Sequence, residues 1–113
     1  MNHTSDVTAV REIARLVLDH RLSVLREAAA RRDLSEAQIA ALALGAGPTD
    51  LPPLQAGQVG FRYQIWADVR RAELNSLLSR QTADWLAARD EAKLAFGRAD
   101  ALRRVAERVA MRK

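Results

Sequence analysis

The stretch "RAELNSLLSRQTADWLAARDEAKLAFGRADALRRVAER", from Arg71 to Arg108, decides the fold of this chain. It contains no proline and a single glycine, and apolar or small residues recur at every third or fourth position. This spacing is typical of a long helix whose apolar stripe packs against another helix. We therefore predict one helix over residues 58–111 and an all-α fold. Its stripe comprises Leu74, Leu78, Gln81, Trp85, Ala88, Ala92, Ala95, Ala99, Leu102, Ala106 and Val109.

The first half of the chain predicts a second helix, over residues 7–44. Residues 1–5 are polar and are expected to fray, and Ser5 or Asp6 can cap the helix because a short side-chain oxygen accepts from the free N–H groups of a first turn. One apolar stripe is expected at Val10, Ile13, Ala14, Val17, Val24 and Ala28, broadened by Leu18, Leu22, Leu25 and Ala29.

Residues 33–36 leave two interpretations of this first helix open. Ser35 with Gln38, or Asp33 with Glu36, has the spacing of a capping box, which would start a new helix there. The alternative is one continuous helix with a few polar residues in its interior.

A cluster of helix-breaking residues separates the two predicted helices. The segment "GAGPTDLPPLQAG", residues 45–57, contains the three prolines of the chain, which cannot continue a helix. The two helices would be about 57 Å and 80 Å long at 1.5 Å per residue. The predicted fold is therefore an antiparallel two-helix coiled-coil hairpin, a single domain, in which residues 7–44 pair with residues 58–97. Residues 98–113 would overhang at the C-terminal end.

The positive charge of the chain is concentrated in its second half, which contains that overhang. Residues 1–57 hold six arginines and seven carboxylates, a net of −1, whereas residues 58–113 hold twelve Arg or Lys and seven carboxylates, a net of +5. The C-terminal segment is basic and amphipathic, and arginine suits carboxylates on a protein surface. We predict that it binds a protein partner through Arg98, Leu102, Arg103, Arg104, Val105, Arg108, Val109 and Arg112.

Composition argues against catalysis, metals and cofactors. The chain has no cysteine; of its two histidines, His3 lies in the expected frayed start, and His20 has no second ligand four residues further along its helix. "GAGPTD" lacks the lysine of a phosphate-binding loop, and the carboxylates are scattered along helices. No secretory signal pattern or bilayer-length apolar run is present. We expect a non-enzymatic, cytoplasmic protein without cofactors, peripheral to a membrane at most.

Two further functional interpretations stay open. Trp66 lies beside arginines in "YQIWADVRR", a pattern that can bind nucleic acid, although acidic residues interrupt every basic run. The chain would then be a small basic helical regulatory or nucleic-acid-associated protein. Two hairpins could also pair into a four-helix bundle, which would make the protein a homodimer.

The second half of the chain, "RYQIWADVRRAELNSLLSRQTADWLAARDEAKLAFGRADALRRV", resembles the FliJ-like coiled-coil proteins of bacterial flagellar and type III export systems. The plan of a long helix, a turn and a longer helix is similar over residues 7–110. The resemblance implies a two-helix stalk that engages an export ATPase, the export gate or an export chaperone. It carries over no specific contact residue, and this chain is shorter than typical members of the family.

Overall fold

The computed structural model of the chain describes residues 3–45, 47 and 49–112. Two helices account for almost all of them: α1 comprises His3–Leu42 and α2 comprises Pro53–Met111. The helices are antiparallel and pack against each other, and the described residues contain no strand. These observations confirm the predicted all-α class and the helical hairpin.

α1 begins earlier than predicted. Its described part starts at His3, so Ser5 and Asp6 lie inside the helix and do not cap it. Asp6 still lies in the first turn, where a carboxylate interacts favourably with the positive end of the helix dipole. Residues 1 and 2, which we expected to fray, lie outside the described residues.

α1 continues without a break through residues 33–36. Ser35 is only 2% exposed, and its hydroxyl donates a hydrogen bond to Oε1 of Gln81 on α2 at 2.6 Å. The capping-box interpretation is therefore wrong at Ser35, because the hydroxyl bonds across the helix pair and does not satisfy a helix end.

The connection between the helices comprises residues 43–52, in place of the predicted 45–57. α1 ends at Leu42, and the amides of Ala43, Leu44 and Gly45 bond to carbonyls three residues earlier. Gly45 and Gly47 have φ of 80° and 86°, a conformation that residues with a side chain rarely adopt. Ala46 and Pro48, part of the predicted loop, lie outside the described residues.

α2 begins at Pro53, earlier than the predicted Gln58. Proline suits the first turn of a helix because its missing N–H has no intrahelical acceptor there. The amide of Ala56 donates to the carbonyl of Pro52 at 2.8 Å, which closes this turn, and Gly57 remains helical. The predicted boundary was late because proline near a helix start was taken as part of the breaker segment.

The chain divides into two compact units. One combines residues 3–29 of α1 with residues 84–112 of α2, and its most buried side chains are alanines: Ala28, Ala88, Ala92 and Ala95. The other comprises residues 30–83, and its core is Leu42, Ala67 and Leu74, with Ile39 and Tyr63 packed against it. Alanine at a helix–helix contact allows a short interaxial distance.

The predicted stripe of α2 is confirmed. Each of its residues, from Leu74 to Val109, is buried or half-buried. Leu74 is the largest fully buried side chain among the described residues. The three-and-four spacing of α2 was therefore sufficient to identify the face that packs against α1.

The predicted stripe of α1 is wrong at three positions in its first half. Val10, Ile13 and Val17 are 48%, 60% and 40% exposed. They belong to a second apolar line that repeats at the same helical spacing, so periodicity alone did not show which line faces α2. The line that is buried or half-buried comprises Val7, Ala14, Leu18, Leu25, Ala28, Ser35, Ile39 and Leu42.

The surplus length of α2 lies at its beginning, which corrects the predicted C-terminal overhang. Leu42, the last residue of α1, packs with Tyr63 and Ala67, so residues 53–62 extend past the end of α1 by about 15 Å. At the other end of α2, residues 84–112 form a compact unit with residues 3–29 of α1. The prediction paired the end of α1 with residue 58, whereas the ten-residue connection allows a later register.

Candidate protein-binding surfaces

The apolar residues predicted to bind a partner at the C-terminal end are mostly covered by the chain itself. Leu102 and Val109 are half-buried on the α1-facing stripe of α2, and only Val105 is exposed, at 42%. The predicted apolar line is therefore largely an intramolecular contact.

Two of the predicted C-terminal arginines form ion pairs within α2. Arg103 pairs with Asp100 at 3.0 Å and with Glu107 at 2.7 Å, and Arg104 pairs with Asp100 at 3.0 Å. Hydrogen bonds to the side chains of Asp100 and, to a smaller extent, Glu107 raise the pKa of Arg103 above its ordinary value. Ion pairs of this exposed kind contribute little to stability, but they neutralise part of the predicted basic surface.

The other three predicted arginines, Arg98, Arg108 and Arg112, are exposed. Among the carboxylates that the structure describes, none lies within ion-pair distance of them. Arg108 lies in the last turn of α2, where a cation interacts favourably with the negative end of the helix dipole. The structure thus leaves a smaller basic surface at this end than the sequence predicted.

A cluster of exposed large apolar side chains lies near the beginning of α2. Phe61, Ile65, Trp66 and Val69 are 68%, 52%, 55% and 57% exposed, and we name them the α2 tip patch. Of the aromatic residues in this segment, Tyr63 is the one that packs against the core around Leu42.

Tyr63 connects the α2 tip patch to the core. Its ring packs against the cluster around Leu42, and its hydroxyl donates to the Leu42 carbonyl at 3.3 Å. The Tyr63 and Trp66 ring centroids are 5.7 Å apart with the rings tilted by 46°. The ring of Trp66 therefore lies against the ring of Tyr63, while Trp66 as a residue is 55% exposed to solvent.

The arginines beside the α2 tip patch are partly neutralised. Arg71 pairs with Asp68 at 2.9 Å, and Arg70 pairs with Glu73 at 3.3 Å. These are the arginines that suggested nucleic-acid binding next to Trp66. Their guanidinium groups already hold carboxylates, which weakens that interpretation.

A third surface, which sequence analysis did not identify, is a cleft between α1 and α2 within the unit of residues 3–29 and 84–112. It consists of two adjoining hollows of about 450 Å³ and 360 Å³ that share Leu18 and Phe96. The side chains along it, besides these two, are Thr8, Arg11, Glu12, Arg15, Leu22, Leu25, Arg89, Ala92, Lys93, Ala99, Asp100 and Arg103. We name this feature the interhelical cleft.

The interhelical cleft has an apolar floor and a charged rim. Ala92 is buried at its floor, whereas Phe96 is 62% exposed and forms a wall. On the rim, Arg89 lies over the Trp85 ring, 5.4 Å from its centroid, and its Nε–H is buried without an acceptor among the described residues. In the sequence, Leu22 lies on the broadened stripe of α1 and Phe96 lies beside the stripe of α2, so neither residue indicated a cleft.

His3 and His20 are both exposed, and no group of three His, Asp or Glu side chains in the described part of the chain could hold a metal ion. Over the described ranges, neither helix is long and apolar enough to cross a bilayer.

Comparison of the chain with protein-family models, with curated proteins and with solved structures gave no match.

Proposed function

We propose that this protein is a non-catalytic coupling protein that binds a protein partner through the α2 tip patch. By its resemblance to the FliJ-like proteins, it acts as a cytoplasmic stalk in flagellar or type III export, and the partner is an export ATPase, the export gate or an export chaperone. The observation that carries the proposal is the exposure of Phe61, Ile65, Trp66 and Val69 on one region of α2.

The α2 tip patch has the composition of a protein-binding surface. Residues 61, 65 and 69 are four apart, so they share a face of α2, and Trp66 lies next to that line. Aromatic residues dominate the energy of protein interfaces, whereas contiguous exposed apolar surface is rare on monomers that bind nothing. The patch begins on turns that α1 does not cover, so a partner can reach it without separating the two helices.

The test is binding of purified export ATPase, export-gate cytosolic domain and export chaperone to the full chain. The double variant Ile65→Ser/Trp66→Ser should weaken binding of the true partner by at least about tenfold, because truncating an interface aromatic commonly removes more than 1.4 kcal/mol. The matched control is Leu94→Ser/Val105→Ser, which also replaces two exposed apolar residues by serine. It should bind as the wild type does.

Three results would count against the proposal. Absence of binding to all three export components would rule out the export role. Equal binding by both variants would move the contact away from the α2 tip patch, and loss of binding in a variant with Arg98, Arg108 and Arg112 replaced would return it to the C-terminal surface. Helical content measured by circular dichroism must be the same in all variants for these comparisons.

The alternative is a regulatory or nucleic-acid-associated protein, and it makes a different prediction. The second half of the chain has a net charge of +5, from twelve Arg or Lys against seven carboxylates. Binding through phosphates would weaken steeply with salt, roughly in proportion to the number of contacts. Binding to generic duplex DNA with such a slope would favour the alternative over the coupling role.

A further inference from the structure

We propose that the interhelical cleft binds an amphipathic helix of a partner protein whose apolar stripe is flanked by acidic residues. This inference rests on the proposed coupling role and names the chemistry of a second contact, separate from the α2 tip patch. Bound in this way, the partner helix would complete a three-helix bundle with residues 3–29 and 84–112.

The shape of the cleft suits a helix. It follows α1 from Thr8 to Leu25, which corresponds to about 26 Å and five helical turns. The small side chains of Ala92 and Ala99 line the bottom of the cleft, and the larger side chains of Leu22 and Phe96 form its walls. Side chains of a third helix, spaced three and four residues apart, would enter the hollows between these walls, as in other helix-in-groove complexes.

The charge of the rim determines which helix is accepted. Five cationic side chains line the cleft against two carboxylates, Glu12 and Asp100. Of the five, Arg103 is already paired with Asp100 and Glu107, and Arg89 with Asp90 at 3.8 Å. Arg15 and Lys93 are exposed on opposite helices. A helix with glutamates or aspartates on both sides of its apolar stripe would pair with both edges.

The same features argue against three other occupants. A second copy bound through this cleft on a twofold axis would place the same excess of positive charge on both sides of the interface. A membrane surface contacts protruding apolar side chains, and the apolar floor here is recessed between two helices. A nucleic acid requires exposed cations over a polar surface, whereas Leu18, Leu25 and Ala92 make this floor apolar.

The experiment uses two synthetic helical peptides of about 18 residues, five turns long. Both carry the same leucine stripe, flanked by glutamates in the acidic peptide and by lysines in the basic peptide. Each is labelled and titrated with the full chain, and binding is followed by fluorescence anisotropy. The acidic peptide should bind at least about tenfold more tightly than the basic peptide, because each rim contact changes from attraction to repulsion.

Charge-reversal variants distinguish the cleft from other basic surfaces. Arg15→Glu/Lys93→Glu should reverse the preference, so that the basic peptide binds more tightly. The matched control Arg62→Glu/Arg80→Glu changes two exposed arginines of the other unit and should retain the preference for the acidic peptide. Phe96→Ser should weaken both peptides, since it removes an exposed wall and no core residue.

Several outcomes would overturn the inference. They are equal binding of the two peptides to the wild type, an unchanged preference in Arg15→Glu/Lys93→Glu, or binding to vesicles containing phosphatidylserine without binding to the acidic peptide. A homodimer by light scattering that leaves the cleft unable to bind either peptide would also overturn it. The variant Ile65→Ser/Trp66→Ser should still bind the acidic peptide, so failure of the α2 tip patch and failure of the cleft are distinguishable.

Discussion

The hydrogen bond between Ser35 and Gln81 offers the sharpest test of the packing. The Ser35 hydroxyl is buried within α1 and donates to Gln81 Oε1 across the helix pair at 2.6 Å. Ser35→Ala removes the donor and leaves the half-buried Gln81 carbonyl oxygen without its partner. We expect this variant to lose about 1 kcal/mol of unfolding free energy: the lost bond costs about 1–2 kcal/mol and alanine's higher helix propensity returns about 0.5.

Gln81→Leu should behave differently. Leucine extends the apolar stripe that contains Leu74, Leu78 and Trp85, and the orphaned Ser35 hydroxyl can still donate to the carbonyl four residues earlier in α1. The single change should therefore be close to neutral. In Ser35→Ala/Gln81→Leu no polar group is left without a partner, so this variant should be at least as stable as the wild type. The coupling between the two sites should be about 1 kcal/mol.

The assay is urea unfolding of the four proteins, followed by far-ultraviolet circular dichroism, with the slope and midpoint fitted separately. A control pair that is distant from the seam, Ser79→Ala with Arg62→Leu, should be additive. If Ser35→Ala is as stable as the wild type, or if the two changes add within about 0.3 kcal/mol, the hydrogen bond does not couple the helices and the register argued from it is wrong.

The remaining predictions concern the core, the C-terminal segment and a glycine. Trp85→Ala should lower the unfolding free energy by up to about 3 kcal/mol, because the ring is half-buried on the stripe, whereas Trp66→Ala should change it little; equal effects would contradict the stripe. Truncating the chain after Gly97 should lower the melting temperature, since residues 98–112 pack in the unit with residues 3–29, and an unchanged melting temperature would restore the predicted overhang. Gly97→Ala should raise the unfolding free energy by about 0.8–1 kcal/mol, measured in urea, because the added Cβ would meet nothing within 4 Å apart from the adjacent turns of its own helix; a loss of stability would indicate hidden strain.

The sequence by itself determined the elements and one packing face. A proline cluster between two long proline-free segments predicts two helices, and a stripe of small and apolar residues on α2 left only one face that could be buried. The same reasoning predicted a partner-binding surface at the C-terminal end of α2, where the structure half-buries Leu102 and Val109. Whether the partner is an export component, as the resemblance implies, stays a prediction.

Tertiary structure decided the register, and with it the location of every candidate surface. A stripe that repeats every seven residues is compatible with several registers, because each shift by one repeat again places apolar residues opposite apolar residues. Contacts distant in sequence distinguish them here: Ser35 with Gln81, Arg21 with Glu91 at 3.8 Å, and Leu42 with Tyr63. These contacts mean that the part of α2 that α1 does not cover is its first turns, and not its C-terminal segment. The choice between the two apolar lines of α1, and the cleft beside Phe96, follow from the same contacts and have no local signal.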